Sequence, residues 1–327
     1  MRVKTFVDKL VNAIQEKKSI LCVGLDPQIR YFPEHILEQG YAEAGDKSGF
    51  GPVAQAIVIF NEAVVKAVAP FAVVAKPQMA FYEAYGHWGV RAFEETVEIC
   101  RAEGLLVLED AKRCDGGDTA KAYAAGHLGE VDSIHLETIH PTKITKFPKP
   151  SLDVDAMTVV PWIGEAGLTP FIEAVKQHGK GIFVVDKTSF RPNSAVEQLV
   201  TETGYKVWEE TALLVKQWSE GCEGENGINN VGVVVGATFP EEAVRMRELL
   251  PNRFFLVPGY GAQGGGADGA IRGEFPLIVN SSRSIDYAWL REFKCDPKDF
   301  AEASGKAAEF SKDDLNQALK RARKIPW

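Results

Sequence analysis

The sequence predicts an α/β fold, a closed (β/α)8 barrel built as a single domain over residues 1–327. Eight short apolar runs recur along the chain, each rich in Val, Ile, Leu or Phe, and none alternates cleanly with polar residues. Near-continuous apolar strands are buried on both faces, the habit of parallel sheets covered by helices. Segments with helical spacing separate most of the runs, and strand–helix alternation repeated in this way points to the TIM-barrel architecture. A doubly wound open sheet is the alternative that the pattern leaves open.

In chain order the expected strands are 20–25, 71–75, 105–108, 157–160, 181–185, 231–235, 254–257 and 277–279. Apolar residues at helical spacing predict helices over 60–69, 89–102, 119–127, 168–178, 205–218, 240–250 and 311–323. Pro240 at a helix start and Gly179 after a helix end fit the usual punctuation. Two regions interrupt the rhythm and read as insertions. Residues 128–155 carry Pro141, Pro148, Pro150 and several lysines before the fourth strand, and 186–204 follow the fifth.

Composition narrows the class. A hydrophobic share of 45% with 25% charged residues is ordinary for a soluble globular protein. The net charge of −8 argues against a nucleic-acid partner. No apolar run approaches the roughly 20 residues of a membrane span, and the N-terminus has no signal-peptide apolar region. A cytoplasmic protein without a membrane partner is expected. Cys22, Cys100, Cys114, Cys222 and Cys295 are odd in number and scattered, so free thiols are expected in place of disulfides or a zinc site.

The chemistry concentrates where the strands end. The first ends in Gly24-Leu-Asp26-Pro, the second in Ala75-Lys76-Pro, and the third in Glu109-Asp110-Ala-Lys112-Arg-Cys-Asp115. Residues 110 and 112 are two apart, so an extended backbone points both the same way. Barrel active sites lie at the carboxyl ends of the strands. Three consecutive strands thus deliver Asp26, Lys76, Asp110 and Lys112 to one rim, where alternating charges keep one another ionised. The plain alternative is a structural ion-pair network.

After the seventh expected strand comes Pro258-Gly259-Tyr-Gly261-Ala-Gln263-Gly264-Gly-Gly. Gly259-x-Gly261-x-x-Gly264 matches the dinucleotide fingerprint, but that motif opens a helix on the first strand of its domain. A glycine-rich loop whose N–H groups cradle a phosphate explains it better, since barrels bind phosphate after strands seven and eight. The eighth strand leads to Ser282-Arg283, and Arg283 would supply a fixed cation. A flexible loop with a solvated arginine is the alternative. His127, His135 and His140 match no metal motif and read as surface or structural. Phe81, Tyr82, Tyr85 and Trp88 read as core or lid packing, and Lys320–Lys324 as a solvated helix end.

This ordered set resembles the orotidine 5′-phosphate decarboxylase family, in its larger bacterial-type branch, from about residue 19 to 290. Asp110-x-Lys112-x-x-Asp115 is similar to the family signature, Pro258–Gly265 to its phosphate loop and Ser282-Arg283-Ser-Ile to its terminal phosphate motif. The resemblance implies conversion of orotidine 5′-monophosphate to uridine 5′-monophosphate without metal or cofactor. Lys112 would protonate C6, and Asp110 would lie against the leaving carboxylate. Lys76 and Asp26 would contact ribose hydroxyls and hold the charge network. Asp115 and Thr119 would reach across a homodimer into the partner's site. Ser189 would contact the pyrimidine. Gln263 would bridge phosphate and base, while Pro258, Gly259, Gly264, Ser282 and Arg283 would surround the phosphate. The chain departs from the common pattern at Gly116, where an apolar residue is usual, and at Phe190-Arg-Pro-Asn after Ser189.

Rival readings of the same residues remain open. A metal-dependent sugar-phosphate decarboxylase or aldolase on the same scaffold would need an added acidic ligand. Glu109 adjoins the cluster but should point away from it on a strand. A Schiff-base aldolase would use Lys76 or Lys112, a non-catalytic sensor would only bind a phosphate ligand, and a dehydrogenase rests on the glycine fingerprint alone.

Overall fold

A computed structural model describes residues 4–134, 144–147, 150–189, 195–261 and 265–327. Its strands are β1 (Leu21–Leu25), β2 (Val74–Pro77), β3 (Leu106–Arg113), β4 (Val131–Ile134), β5 (Ile144–Phe147), β6 (Ala156–Val159), β7 (Gly181–Lys187), β8 (Asn229–Val235), β9 (Arg253–Val257) and β10 (Leu277–Ser281). Eight of these close a barrel in the order β1-β10-β9-β8-β7-β6-β3-β2, with every pair parallel. Closure removes the open-sheet alternative. The apolar runs of the sequence supply these eight strands, because residues covered on both faces must be apolar throughout. β6, β8, β9 and β10 are buried along their whole length. β4 and β5 form an antiparallel pair outside the ring.

The seven predicted helices are present with shifted ends. The one expected at 60–69 runs over Gly51–Val68, and the one expected at 311–323 over Phe300–Ala322. Gly179 ends its helix in the left-handed conformation, at φ +65°. Two further helices, Phe6–Lys17 and Glu34–Glu43, precede these. The first plugs the amino end of the barrel. Its Phe6 N–H donates to Gly179 O at 2.8 Å, and the Phe6 ring meets Phe183 edge-on at 6.1 Å. A Cβ on Gly181 would sit 2.4 Å from that ring, so the start of β7 needs glycine there.

The helix Gly51–Val68 corrects one expectation, because it is long and apolar enough to cross a membrane. It is half buried in this fold and carries Asn61, Glu62 and Lys66. Phe60, on its buried face, stacks against Phe32 at 4.1 Å and Phe300 at 5.1 Å. A helix of the barrel's outer layer needs such an apolar stripe. Tyr82 is fully buried and accepts a hydrogen bond from Asn61 Nδ2 at 2.9 Å, so it belongs to the core. Arg321 and Lys324 at the C-terminal helix end pair with Asp268 and Glu274. All five cysteines are free thiols.

Candidate active site at the carboxyl end of the barrel

Asp26, Lys76, Asp110 and Lys112 meet around one cavity of about 250 Å³, together with Gln78, Thr158, Ser189, Pro258, Asn280 and Ser282. Val185, Val234 and Leu256 supply its apolar wall. A larger groove of about 570 Å³ lies beside the glycine loop and the C-terminal helix. Size therefore does not single out the site; the convergence of charge does.

Asp110 is the hub. Its Oδ2 accepts from Lys76 Nζ at 2.8 Å and from Gln78 Nε2 at 3.0 Å. Its Oδ1 accepts from Thr158 Oγ1 at 3.0 Å and from Lys112 Nζ. Burial by itself would raise the Asp110 carboxyl, but Lys76 and Lys112 overcome it and hold the group well below the usual carboxylate range. Burial by itself would likewise lower the Lys76 ammonium; Asp110 and then Asp26 outweigh it and hold Lys76 charged beyond its ordinary range. Asp26 is raised, chiefly by burial, with Lys76 opposing the shift and Asp110 adding to it.

Lys112 reaches Asp110 as expected, but on an irregular backbone. Pairing of β3 with β6 shifts register between Glu109 and Arg113, and Lys112 has a left-handed φ of +50°. Thr158 Oγ1 holds its N–H at 2.9 Å. Such strain costs about 1–3 kcal/mol and gathers at functional sites, where a bulge re-aims a side chain. Lys76 is nearly sealed, whereas the Lys112 side chain is 46% exposed and faces the cavity. Both lysines thus bond the hub, but only Lys112 also presents its side chain to the cavity, where a ligand can meet it.

Glu109 points the other way, as the pleat requires. It is fully buried and lies 2.5 Å from His127 Nδ1 on the helix Gly117–Leu128. It adds no carboxylate to the cavity, which weakens the metal-dependent rival on the geometry of this chain. His127 is thereby structural; His135 and His140 lie outside the described residues.

The glycine loop folds back on itself. Gly259 and Gly261 take φ of +99° and +75°, Gly261 N–H donates to Gly265 O at 3.0 Å, and Gly265 N–H to Gly259 O at 3.1 Å. Only the four-residue helix Ala267–Ala270 follows, so the loop does not open a dinucleotide-binding helix. Gln263 and Gly264 lie outside the described residues, as does the departure at Phe190–Asn193. Arg283 lies close enough for its charge to temper the rise that burial gives the Asp26 carboxyl. Ser282 lines the cavity 2.0 Å from where a Cβ on Gly24 would stand, so glycine there admits the serine. Asp115 and Thr119 do not line this cavity: Asp115 Oδ1 accepts from Gly116 N at 2.8 Å, and Thr119 is exposed.

Thr158 and Asn280 are site residues that strand reading passed over, since Thr158 sits inside an apolar run that reads as wall and Asn280 directly follows one. Gln78, directly after Lys76-Pro, carries no signal of its own in the sequence. Asp286 and Tyr287, which bond the backbone of Asp26, carry no sequence signal.

A closed parallel barrel with charged groups and a glycine loop at its carboxyl mouth has the build of a barrel enzyme acting on a phosphorylated ligand. Comparison with known proteins makes this specific. Residues 19–285 match the model of the orotidine 5′-phosphate decarboxylase / HUMPS family. The chain is 34% identical over 318 residues to the orotidine 5′-phosphate decarboxylase of Caldicellulosiruptor bescii, covering 96% of this chain and 99% of that one. It is 36% identical over 293 residues to that of Rhodopirellula baltica, covering 88% and 90%. The solved structure of Leishmania donovani OMP decarboxylase superposes with a TM-score of 0.68 at 27% identity, covering 96% of this chain and 98% of that one. The chain belongs to the orotidine 5′-phosphate decarboxylase / HUMPS family.

Proposed function

We propose that this protein is a carboxy-lyase that converts orotidine 5′-monophosphate to uridine 5′-monophosphate in pyrimidine biosynthesis, working in the cytoplasm as a homodimer. Its family membership supports the activity. The observation that carries the mechanism is the Asp110 hub, with buried Lys76 on one side and half-exposed Lys112 on the other.

The C6–carboxyl bond breaks, CO₂ departs, and the electron pair stays on C6. The ring offers that pair no nearby sink, so fixed charge must stabilise it. Lys112 Nζ provides that charge and then delivers its proton to C6, recovering one from solvent. Asp110 stands against the substrate carboxylate, a repulsion that ends when CO₂ leaves. Asp26 and Lys76 bond the ribose hydroxyls. Ser189 meets the pyrimidine, with its backbone O held by Thr238 Oγ1 at 3.0 Å. Pro258, Gly259, Gly264, Ser282 and Arg283 surround the phosphate, and Gln263 bridges it to the base. Phosphate binding, remote from C6, supplies energy that turnover uses. The scheme asks for no metal and no cofactor.

Asp115 and Thr119 serve the partner's site. Their position off the cavity supports this reading, as does the exposed Trp162-Ile163 pair, since Ile163 lies 3.8 Å from a Cβ built on neighbouring Gly116. Decay of orotidine 5′-monophosphate absorbance on adding the protein, with and without a chelator, tests the function. Turnover that survives the chelator supports this scheme. Turnover abolished by it returns the metal-dependent reading.

A further inference from the structure

We propose that Asp286 and Tyr287 are positioning residues that hold Asp26 in the charged line and tie it to the segment carrying Arg283. The inference rests on the reading above and extends it to residues outside the cavity.

β1 ends at Leu25, so the backbone of Asp26 leaves the sheet just where its carboxyl must be placed. Its polar groups then need other partners. One segment supplies both. Asp286 Oδ2 accepts from Asp26 N at 3.1 Å, and Tyr287 OH donates to Asp26 O at 2.6 Å. The same hydroxyl accepts from Gln28 N at 2.7 Å, which fixes the turn beyond Asp26 as well. Asp286 and Tyr287 are 1% and 0% exposed.

Packing alone does not call for these two residues. The Tyr287 ring lies 5.2 Å from Tyr31 and 6.0 Å from Phe60, a site that phenylalanine would fill. Asp286 is costlier still, because it buries a second acid near Asp26 and its Oδ1 has no hydrogen-bond partner among the described residues. Burial first, and then the Asp26 charge, push its carboxyl well up, toward the neutral form. What the pair gains in return is a grip on Asp26.

The grip also has a direction. Arg283 stands three residues before Asp286 on the one short helix, Arg283–Asp286. A phosphate held at Arg283 therefore fixes the element that fixes Asp26. Cutting the link should reduce the advantage of a phosphorylated substrate over the same nucleoside without its phosphate.

The test compares orotidine 5′-monophosphate with orotidine on the full-length protein. Tyr287→Phe keeps the ring and removes both hydroxyl bonds. It should lower kcat/KM for the phosphorylated substrate about 10- to 100-fold, the scale of a small misplacement of a reacting group. The loss on orotidine, which keeps the ribose but lacks the phosphate, should be at least about 3-fold smaller, with the melting temperature lowered by only a few degrees as Asp26 O and Gln28 N lose their partner. Asp286→Leu should follow Tyr287→Phe. Asp286→Asn, which keeps an acceptor oxygen for Asp26 N, should recover most of the loss and covers the case in which the leucine variant fails to fold. Equal losses on both substrates, or a loss of stability with unchanged kcat/KM, would overturn the proposal. A wild-type protein inert toward orotidine 5′-monophosphate would instead overturn the functional reading beneath it.

Discussion

Lys76 at the end of β2 and Lys187 at the end of β7 are both buried lysines paired with a carboxylate, at 2.8 Å to Asp110 and 2.5 Å to Glu197. Their surroundings differ. Around Lys187 everything closes. It has no exposure, a second carboxylate in Glu242 at 3.4 Å, and the Phe239 ring 3.9 Å away. Glu197 also accepts from Thr188 N–H at 3.1 Å, so the network pins the start of the loop that carries Ser189. Around Lys76 the network stays unfinished. Asp110 passes from it to Lys112, whose ammonium is open to the cavity. Buried charge at a strand end is therefore insufficient to mark a site. The mark is a buried pair that leaves one charged partner facing open space.

Removing the open partner gives the largest expected effect. Lys112→Ala should cut turnover by at least about 10³-fold, the scale of losing a proton donor together with fixed transition-state charge. Asp110 keeps Lys76, so the unfolding midpoint should move little. Steady-state kinetics beside thermal melting separates the two outcomes, and an active, folded variant would end the assignment of Lys112.

The closed network should answer in the opposite currency. Lys187→Met leaves Glu197 buried without its cation and should cost about 3–5 kcal/mol in denaturant unfolding. The folded fraction should retain most of its turnover, because Glu197 can still accept from Thr188 N–H and hold the start of the Ser189 loop. If instead kcat collapses at unchanged stability, the two networks do not divide into a structural and a functional one.

Acid titration sharpens the comparison. The lowered Asp110 carboxyl contributes stability that is fully present above its unfolded value near 3.8 and is lost as pH falls through its lower folded value. Lys76, held above 10.5, contributes stability that is fully present below that value and is lost as pH rises through the higher folded one. Unfolding followed from pH 6 to pH 2 should therefore lose less in Lys112→Ala, whose Asp110 is less depressed, than in the parent protein.

Asp186 gives the smallest effect and the only gain. It stands next to Lys187, and neither of its carboxyl oxygens has a hydrogen-bond partner among the described residues. Burial, followed by the Glu197 charge, raises it well above its ordinary range. Asp186→Val, a residue suited to a strand, should stabilise the protein by about 1–2 kcal/mol at neutral pH. The gain should shrink as pH falls toward 4, where the unfolded carboxyl also takes up its proton. An unfolding curve unchanged at neutral pH would show that the burial cost is met in some other way.

The sequence by itself determined the buried parallel strands and most of the rim, and left closure of the barrel against an open sheet to the tertiary structure. Strands buried on both faces are apolar whatever they touch, so eight runs sufficed to predict eight barrel strands. Charges that end such runs must lie at the mouth, which is why Asp26, Lys76, Asp110 and Lys112 could be grouped from local pattern alone. The tertiary structure decided what each charge faces. It turned Glu109 to His127, gave Lys112 its left-handed backbone, and sealed Lys187 while leaving Lys112 open. It also brought Asp286 and Tyr287 to the backbone of Asp26 across some 260 residues of chain. No local pattern encodes such contacts, because the partners share neither a strand nor a helix and meet only when the last strand of the barrel closes on the first.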